Sequence, residues 1–401
     1  MNPRLASLPT YLWGKYLQLV FSKVHVDLSP ISLHIGEPKH APPKVIRQAL
    51  VDSLSGLRHY TNVKGSQELR EAIASWLQQR FKLAHVNPDR QVLPVNGTRE
   101  ALFGIAQCVV DSRQPNPKVL IPNPFYEAYL CGAILAGGSP VYTNCLEATD
   151  FLPDFSSVSK QDWQDCQLLY ICSPSNPCGT IIPRESMEML IRYAERYDFI
   201  IASDECYSEI YGNEDTPPTG LLEAAWAMGL EDFKRCIVFH SLSKRSNVPG
   251  LRSGFVAGDA EIIQKFEKYR SYQGYTMPSY IQAASTIAWK DEKHVVKNRQ
   301  LYREKFAVMK DILSPTLPVH IPPASFYLWL KTPIPDVDFT RQLYLQKHVM
   351  VIPGSYLAYR SEGINPGEGF IRLALVPELQ QCVEAAYRIK NFIETGLTQR
   401  H

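Results

Sequence analysis

The segment from Ser241 to Phe255 reads SLSKRSNVPGLRSGF and places a lysine, Lys244, between serines and ahead of Arg252. It follows the apolar run CIVFH, which predicts a buried strand. A solvated turn could use these residues. A site in which a lysine binds a carbonyl covalently, while serine hydroxyls and an arginine bind an anion, could use them as well. The ends of the other predicted strands decide between the two interpretations.

Three further apolar runs of strand length also end in polar residues: KVLIPNPFY, LLYICSPSNPCGT and FIIASDECYSEIY. They alternate with amphipathic helical stretches, a pattern typical of an α/β fold with a mostly parallel sheet covered by helices on both faces. Ligands of such sheets bind beyond the carboxyl ends of the strands. The side chains expected at that edge are Tyr126, Asn176, Asp204, Tyr207 and Lys244. Each has an ordinary explanation as a turn, cap or surface residue, but their recurrence at one edge favours a shared site.

A phosphate site is predicted at the start of a helix. The stretch NGTREALFGIAQCVV follows the strand-like QVLPV, so Gly97 and Thr98 would lie where backbone N–H groups of a helix N-terminus can bind an anion. Ser241, Ser243 and Arg252 could add hydroxyl groups and a guanidinium to the same anion. The sequence contains no GxGxxG, Walker A or HExxH motif, so we expect neither a dinucleotide, a nucleoside triphosphate nor a metal at this site.

Pyridoxal phosphate is the cofactor that would use all of these groups. Lys244 would anchor it covalently and later act as the base that moves a proton. Asp204 would pair with the ring nitrogen and keep it protonated, which makes the ring an electron sink. Asn176 and Tyr207 would hydrogen-bond the ring oxygen.

The ordered motifs SNPCGT, SDECY and SLSKRSNVPGLR resemble those of the fold-type I pyridoxal phosphate enzymes, specifically the class I/II aminotransferases. The resemblance runs from HIGEP to FIRLALVP. It implies that Tyr126 stacks on the cofactor ring and that Arg372 binds the substrate α-carboxylate. It also implies that Gly36 lets the substrate approach the backbone. Finally, it implies a homodimer in which Tyr60 reaches the phosphate of the other subunit's cofactor.

Longer blocks, among them LPVNGTREALF, NPFYEAY, DECYSEIY and VIPGSYLA, resemble the N-succinyldiaminopimelate aminotransferases of bacterial lysine synthesis. This resemblance implies glutamate as the amino donor and N-succinyl-2-amino-6-oxopimelate as the acceptor. A donor for a remote carboxylate is therefore expected besides Arg372. The segment Lys268–Tyr280 holds candidates, although Arg270 could equally be a helix surface residue.

Other functions were weighed against this one. N-acetylornithine, or a broad range of aspartate and aromatic substrates, stays open, as does a carbon–sulfur lyase reaction on the same cofactor. SLSK also matches the S-x-x-K motif of penicillin-recognising serine enzymes, but SDE precedes it and KTP lacks the glycine of K-T-G. A cofactor-binding regulator would need an added DNA-binding domain, for which the chain has no spare length.

The 401 residues, 45% of them hydrophobic, predict one large core and a smaller one. We expect a large cofactor-binding domain over 51–290. The expected smaller α/β domain combines 1–50, which includes an N-terminal arm, with 291–401. Trp289–Leu313 predicts one long amphipathic helix. A net charge of +2, scattered cysteines and no membrane-length apolar run predict a cytoplasmic protein with no nucleic acid or membrane partner. The resemblance to the aminotransferases implies that its partners are small amino and keto acids.

Overall fold

The computed structural model describes residues 1–20, 27–274 and 276–397. The strands are β1 (Ile31–Ser32), β2 (Val92–Val95), β3 (Lys118–Asn123), β4 (Ser139–Asn144), β5 (Cys166–Cys172), β6 (Ile200–Asp204), β7 (Cys236–Ser241), β8 (Gly254–Gly258), β9 (Tyr327–Lys331), β10 (Val349–Met350), β11 (Ile352–Pro353) and β12 (Phe370–Ala374). The α-helices are α1 (Leu12–Val20), α2 (Lys44–Asp52), α3 (Gln67–Phe81), α4 (Thr98–Val109), α5 (Glu127–Ala136), α6 (Lys160–Asp165), α7 (Arg184–Tyr197), α8 (Leu221–Ala227), α9 (Leu242–Arg245), α10 (Ala260–Gln273), α11 (Ser279–Lys290), α12 (Lys293–Leu313), α13 (Asp336–Lys347) and α14 (Leu379–Asn391).

The large sheet has seven strands in the order β2-β8-β7-β6-β5-β3-β4. Strands β7, β6, β5, β3 and β4 pair in parallel, whereas β8 runs antiparallel to both β7 and β2. Helices α3, α7, α8 and α11 bury one face of the sheet, and α4, α5 and α10 bury the other. Because both faces are covered, the inner strands β5, β6, β7 and β8 are buried along nearly their whole length. The predicted α/β fold with a mostly parallel sheet is confirmed.

A second core forms where the two ends of the chain meet. Strands β11, β12 and β9 make an antiparallel sheet, and β1 pairs in parallel with β10. Helices α12, α13 and α14 pack against these strands, and Ile31 of β1 lies in the same core. Ile46 of α2, in contrast, packs into the core around the large sheet. The domain division at residues 50 and 290 stays a proposal.

The long helix predicted over Trp289–Leu313 is present as α12 from Lys293 to Leu313, but its predicted start is wrong, because Trp289 belongs to α11. Helix α11 ends at Lys290, and α12 begins at Lys293 after Asp291 adopts an extended backbone. The Asp291 carboxylate accepts a hydrogen bond from the backbone N–H of His294, as capping aspartates do, so the chain restarts there as a new helix. None of the helices in the described ranges is long and apolar enough to cross a lipid bilayer.

Candidate active site

The side chains beyond the carboxyl ends of β3, β5, β6 and β7 line one cleft of about 650 Å³ between the two cores. The predicted site residues that line it are Gly36, Thr98, Tyr126, Asn176, Asp204, Tyr207, Ser241, Ser243, Lys244, Arg252 and Arg372. The parallel arrangement explains this clustering, because parallel strands deliver their carboxyl ends to the same edge of a sheet.

Lys244 lies in the short helix α9, directly after β7. Its Nζ donates a hydrogen bond to the carbonyl oxygen of Gly36. Burial lowers the pKa of Lys244 to about 8, with a smaller effect from the charge of Arg372 in the same direction. A larger share of this amine is therefore neutral near physiological pH than of an ordinary lysine, and a neutral amine can attack a carbonyl.

Asp204 is the last residue of β6, and its carboxylate is buried. Tyr129 Oη donates a hydrogen bond of 2.6 Å to Oδ2, and the backbone N–H of Cys206 donates one of 3.2 Å to Oδ1. Burial raises the pKa of this carboxyl, and both hydrogen bonds oppose the shift. Such a carboxylate can hold a proton on a ring nitrogen in the cleft. Sequence reasoning missed Tyr129, although its spacing from Tyr126 is one that brings residues together on a helix.

An anion-binding cup lies at the N-terminus of α4. Gly97 precedes the helix with φ +87°, and a Cβ at this position would collide with the guanidinium of Arg252. The glycine therefore lets Arg252 close over the helix N-terminus, where its Nη2 donates to the carbonyl of Asn96 at 3.3 Å. The side chains of Ser241 and Ser243 line the same cleft. Backbone N–H groups, hydroxyls and a guanidinium together suit a phosphate group.

Arg372 reaches the cleft from β12. Its Nη1 donates to Asn176 Oδ1 at 2.8 Å and its Nη2 to the carbonyl of His34 at 2.9 Å, while the ring of Tyr327 lies 4.4 Å from the guanidinium carbon. Its Nε is buried without a hydrogen-bond partner among the described residues. All of these contacts are to neutral groups, so the positive charge remains available to a carboxylate.

Tyr207 and Tyr327 link the two halves of the cleft. Their hydroxyl oxygens are 2.9 Å apart, and burial raises the pKa of both phenols, which therefore stay protonated as hydrogen-bond donors. Tyr327 also explains Gly36, because a Cβ there would collide with the Tyr327 hydroxyl. Sequence reasoning missed Tyr327, which lies far along the chain from the motifs that resemble those of the aminotransferases.

Two residues weighed from the sequence lie elsewhere. Tyr60 is 97% exposed and does not line the cleft of its own chain, so its role toward a second subunit stays a prediction. Arg270 is 2% exposed, lies 3.7 Å from Glu100 and does not line the cleft either. Tyr275 of the same candidate segment lies outside the described residues.

The donor set fits pyridoxal phosphate. One cavity holds an amine of lowered pKa, a buried carboxylate, a phosphate cup and the aromatic side chain of Tyr126. Among the described residues, no cluster of histidine, cysteine or acidic side chains could hold a metal ion.

Comparison with known proteins identifies the family. The sequence model described as "Aminotransferase class I and II" matches residues 29–389. The chain belongs to this family. Its members use pyridoxal 5'-phosphate, so the cofactor predicted from the sequence is confirmed together with the family.

Individual relatives extend over the whole chain. The crystal structure of an aminotransferase from Neisseria meningitidis Z2491 is 43% identical, with a TM-score of 0.94, and covers 98% of this chain and 100% of that one. The LL-diaminopimelate aminotransferase of Aquifex aeolicus is 31% identical over 396 residues, which are 97% of this chain and 98% of the relative. A probable N-succinyldiaminopimelate aminotransferase from Thermus thermophilus has a TM-score of 0.81, with 95% and 98% coverage. Its 24% identity supports a shared fold alone.

Proposed function

We propose that this aminotransferase exchanges an amino group between glutamate and N-succinyl-2-amino-6-oxopimelate, which gives N-succinyl-LL-2,6-diaminopimelate in lysine synthesis. One observation carries the part of the proposal that concerns a remote carboxylate: one cation in the cleft has no role in binding the cofactor or the α-carboxylate. Lys244 and Arg252 serve the cofactor and Arg372 the α-carboxylate, whereas the remaining cation that lines the described cleft, Arg99, has no part in these tasks.

Arg99 is the second residue of α4, and its side chain is 52% exposed. Its guanidinium lies 5.6 Å from the ring of Tyr126 and 3.9 Å from the carboxylate of Glu127. Glu127 also accepts a hydrogen bond of 2.9 Å from the N–H of Leu12. Arg99 is half-exposed and Glu127 is 22% exposed, and an ion pair of this length contributes little, so a substrate carboxylate can replace Glu127 as the partner of Arg99. Glutamate and the long acceptor both carry such a remote carboxylate.

The cofactor, when bound, supplies an electron sink for the carbon that carries the substrate nitrogen. In the proposed reaction, Asp204 holds the proton on the ring nitrogen and Arg372 orients the substrate through its α-carboxylate. Lys244 would remove the proton from the substrate carbon and return it to the carbon on the other side of the substrate nitrogen. Asn176 and Tyr207 would hydrogen-bond the ring oxygen of the cofactor. Because the groups come from both cores, closure of the cleft would exclude water from these steps.

A second candidate acceptor is the unacylated compound, 2-amino-6-oxopimelate. The relative from Aquifex aeolicus, which matches 97% of this chain, is named an LL-diaminopimelate aminotransferase. Both acceptors share the carbon skeleton and a remote carboxylate, so Arg99 serves either. They differ by the succinyl group, which adds bulk and one more carboxylate.

The test compares kcat/KM for four acceptors with glutamate as the donor. These are N-succinyl-2-amino-6-oxopimelate, 2-amino-6-oxopimelate, N-acetylglutamate semialdehyde and oxaloacetate. We expect the succinylated acid to be preferred by at least about tenfold, which requires about 1.4 kcal/mol of additional transition-state binding. Preference for the unacylated acid would establish the second candidate. Preference for oxaloacetate or N-acetylglutamate semialdehyde would overturn both.

A further inference from the structure

The residues that follow Lys244 are bound by α12 and the turn that precedes it. Each side chain has a partner there: Arg245 pairs with Glu292, Ser246 Oγ lies 2.8 Å from His294 Nε2, and Asn247 Nδ2 donates to Asn298 Oδ1 at 2.9 Å. Helix α12 continues into the second core, where Phe306, Met309 and Leu313 pack. The segment that carries the lysine is therefore attached to the helix that joins the two cores.

Lys244 is held by hydrogen bonds at its main-chain carbonyl and at its side-chain amine. The Nδ2 of Asn298, which is 2% exposed, donates to the main-chain carbonyl of Lys244 at 3.3 Å and to that of Arg245 at 3.5 Å. At the other end, the Nζ of the same lysine donates to the carbonyl of Gly36. The amine position therefore depends on Asn298 and on the segment that contains Gly36.

His40 connects these two supports, because it belongs to the same N-terminal segment as Gly36. Its ring is buried, with Nδ1 2.9 Å from Asn298 Oδ1 and Nε2 2.6 Å from Lys305 Nζ. Lys305 Nζ also donates to the carbonyl of Val376 at 3.4 Å. The amide oxygen can only accept, so Nδ1 carries the proton and Nε2 accepts from the lysine. Burial and the charge of Lys305 lower the pKa of His40, which favours this neutral ring.

The hydrogen bonds consequently run in one direction, from Lys305 through His40 and Asn298 to the carbonyl of Lys244. Buried polar chains of this kind stabilise a fold little compared with apolar packing, but they specify one arrangement of the groups they join. Here the series of hydrogen bonds joins α12, the N-terminal segment and the segment that carries Lys244. Of the residues in this series, Lys244 alone lines the cleft as the structure describes it.

We propose that His40 and Asn298 are positioning residues for proton transfer by Lys244, and that Lys305 ties this support to the second core. The proposal rests on the role given to Lys244 in the proposed function. Loss of either residue frees the carbonyl of Lys244 or the segment around Gly36, so the amine moves relative to the substrate carbon. A misplacement of about 1 Å lowers a rate by up to about a hundredfold.

The experiment measures kcat, KM and the primary isotope effect of α-deuterated glutamate on the holoenzyme of four variants. Asn298→Ala removes the donor to Lys244, and His40→Leu removes the link to Asn298. His40→Asn restores an amide N–H close to Nδ1. Thr286→Val is the control. It removes a hydrogen bond of 2.9 Å from the buried hydroxyl of Thr286 in α11 to the main-chain carbonyl of Gln282, and neither residue takes part in the series of hydrogen bonds that ends at Lys244.

Asn298→Ala and His40→Leu should lower kcat about tenfold, leave KM within about twofold and increase the isotope effect, because proton transfer becomes slower than the other steps. His40→Asn should recover part of the loss, and Thr286→Val should match the wild type. In the cofactor-free chain, competitive acetylation read by mass spectrometry should give Lys244 a different pH profile in Asn298→Ala.

Unchanged kcat and isotope effect in the variants would overturn the inference. So would losses that only follow the amount of folded, cofactor-loaded protein. If Asn298→Ala does not fold, the comparison of His40→Asn with His40→Leu still tests the positioning role. Wild-type enzyme that does not bind its cofactor through Lys244 would instead overturn the proposed function, and with it the basis for a positioning role.

Discussion

Tyr129 donates a hydrogen bond of 2.6 Å to Asp204, and this bond affects how strongly the buried carboxylate attracts a proton. Without it, the pKa of Asp204 rises further, and the carboxylate draws the proton away from the cofactor ring. We expect Tyr129→Phe to lower kcat by about ten- to a hundredfold, since loss of a hydrogen bond to a charged group amounts to about 1.5–3 kcal/mol. Steady-state kinetics at saturating cofactor would measure the effect.

Tyr170→Phe is the matched control. The Tyr170 ring stacks on Tyr129 at 4.8 Å, and its hydroxyl donates to the carbonyl of Leu102 at 2.6 Å instead of to Asp204. Both variants remove one buried phenol hydroxyl, but only Tyr129→Phe affects the carboxylate. Equal kcat values for the two variants would contradict this role of Tyr129.

Arg99 provides the second prediction for a single residue. We expect Arg99→Gln to lower kcat/KM for glutamate and for the succinylated acceptor by about ten- to a hundredfold, which corresponds to about 1.4–2.7 kcal/mol for a lost charged contact. The kcat/KM for pyruvate, which has no remote carboxylate, should stay at the wild-type value, and Arg99→Lys should keep part of the preference. A similar loss with all acceptors would show that Arg99 does not recognise the remote carboxylate.

The predictability of the site differs from residue to residue for a physical reason. Asp204 ends a strand, and Lys244 and Asn176 lie shortly after strands. Because the parallel sheet brings strand ends together, the sequence pattern indicates their proximity. Tyr129 and Arg99 lie within helices, where the direction of a side chain depends on how the helix packs. Their partners could not be inferred from spacing alone.

At the scale of the elements, the turn that precedes α4 allows the steric conflict with Arg252 to be tested separately from backbone strain. Gly97 and Gly229 both have positive φ, +87° and +80°, so alanine strains the backbone at either position. A Cβ at Gly97 would meet the guanidinium of Arg252, whereas a Cβ at Gly229 would meet nothing within 4 Å. We expect Gly97→Ala to weaken cofactor binding at least about tenfold, or about 1.4 kcal/mol, and Gly229→Ala to leave it unchanged.

Thermal unfolding without cofactor should show a decrease in stability for both glycine variants, because each position has a positive φ that alanine rarely adopts. Equilibrium dialysis with pyridoxal phosphate then measures how much the cofactor affinities of the two variants differ. If Gly97→Ala retains wild-type cofactor affinity, the α4 N-terminus and Arg252 do not form the phosphate cup.

Five of the seven strands of the large sheet, β2, β3, β5, β6 and β7, could be predicted because strand and helix periodicities alternate there. Strands β4 and β8 were not predicted. The break between α11 and α12 was missed because Asp291 interrupts an otherwise continuous amphipathic pattern without a glycine or proline. The pairing of β1 with β10 was also not predictable, since each has two residues and they lie far apart in the chain.

At the scale of the whole molecule, the homodimer stays a prediction that the surface makes testable. Leu54, Leu57 and Tyr60 are 44%, 67% and 97% exposed near one turn, and a second subunit could cover them. In a hybrid of Lys244→Ala and Tyr60→Phe subunits, one shared site would carry both substitutions and the other neither. We expect such hybrids to regain about half of the wild-type activity when cofactor is limiting. Hybrids no more active than the parent homodimers, or an active monomer, would exclude shared sites.

The central claim is that this class I and II aminotransferase binds its cofactor through Lys244. Borohydride reduction of the holoenzyme, followed by digestion and peptide mass spectrometry, tests it most directly, with Lys244→Ala as the control. We expect a pyridoxyl group on Lys244 in the wild type and no such label in the variant. A pyridoxyl group on another lysine, or an active enzyme without any label, would contradict the claim.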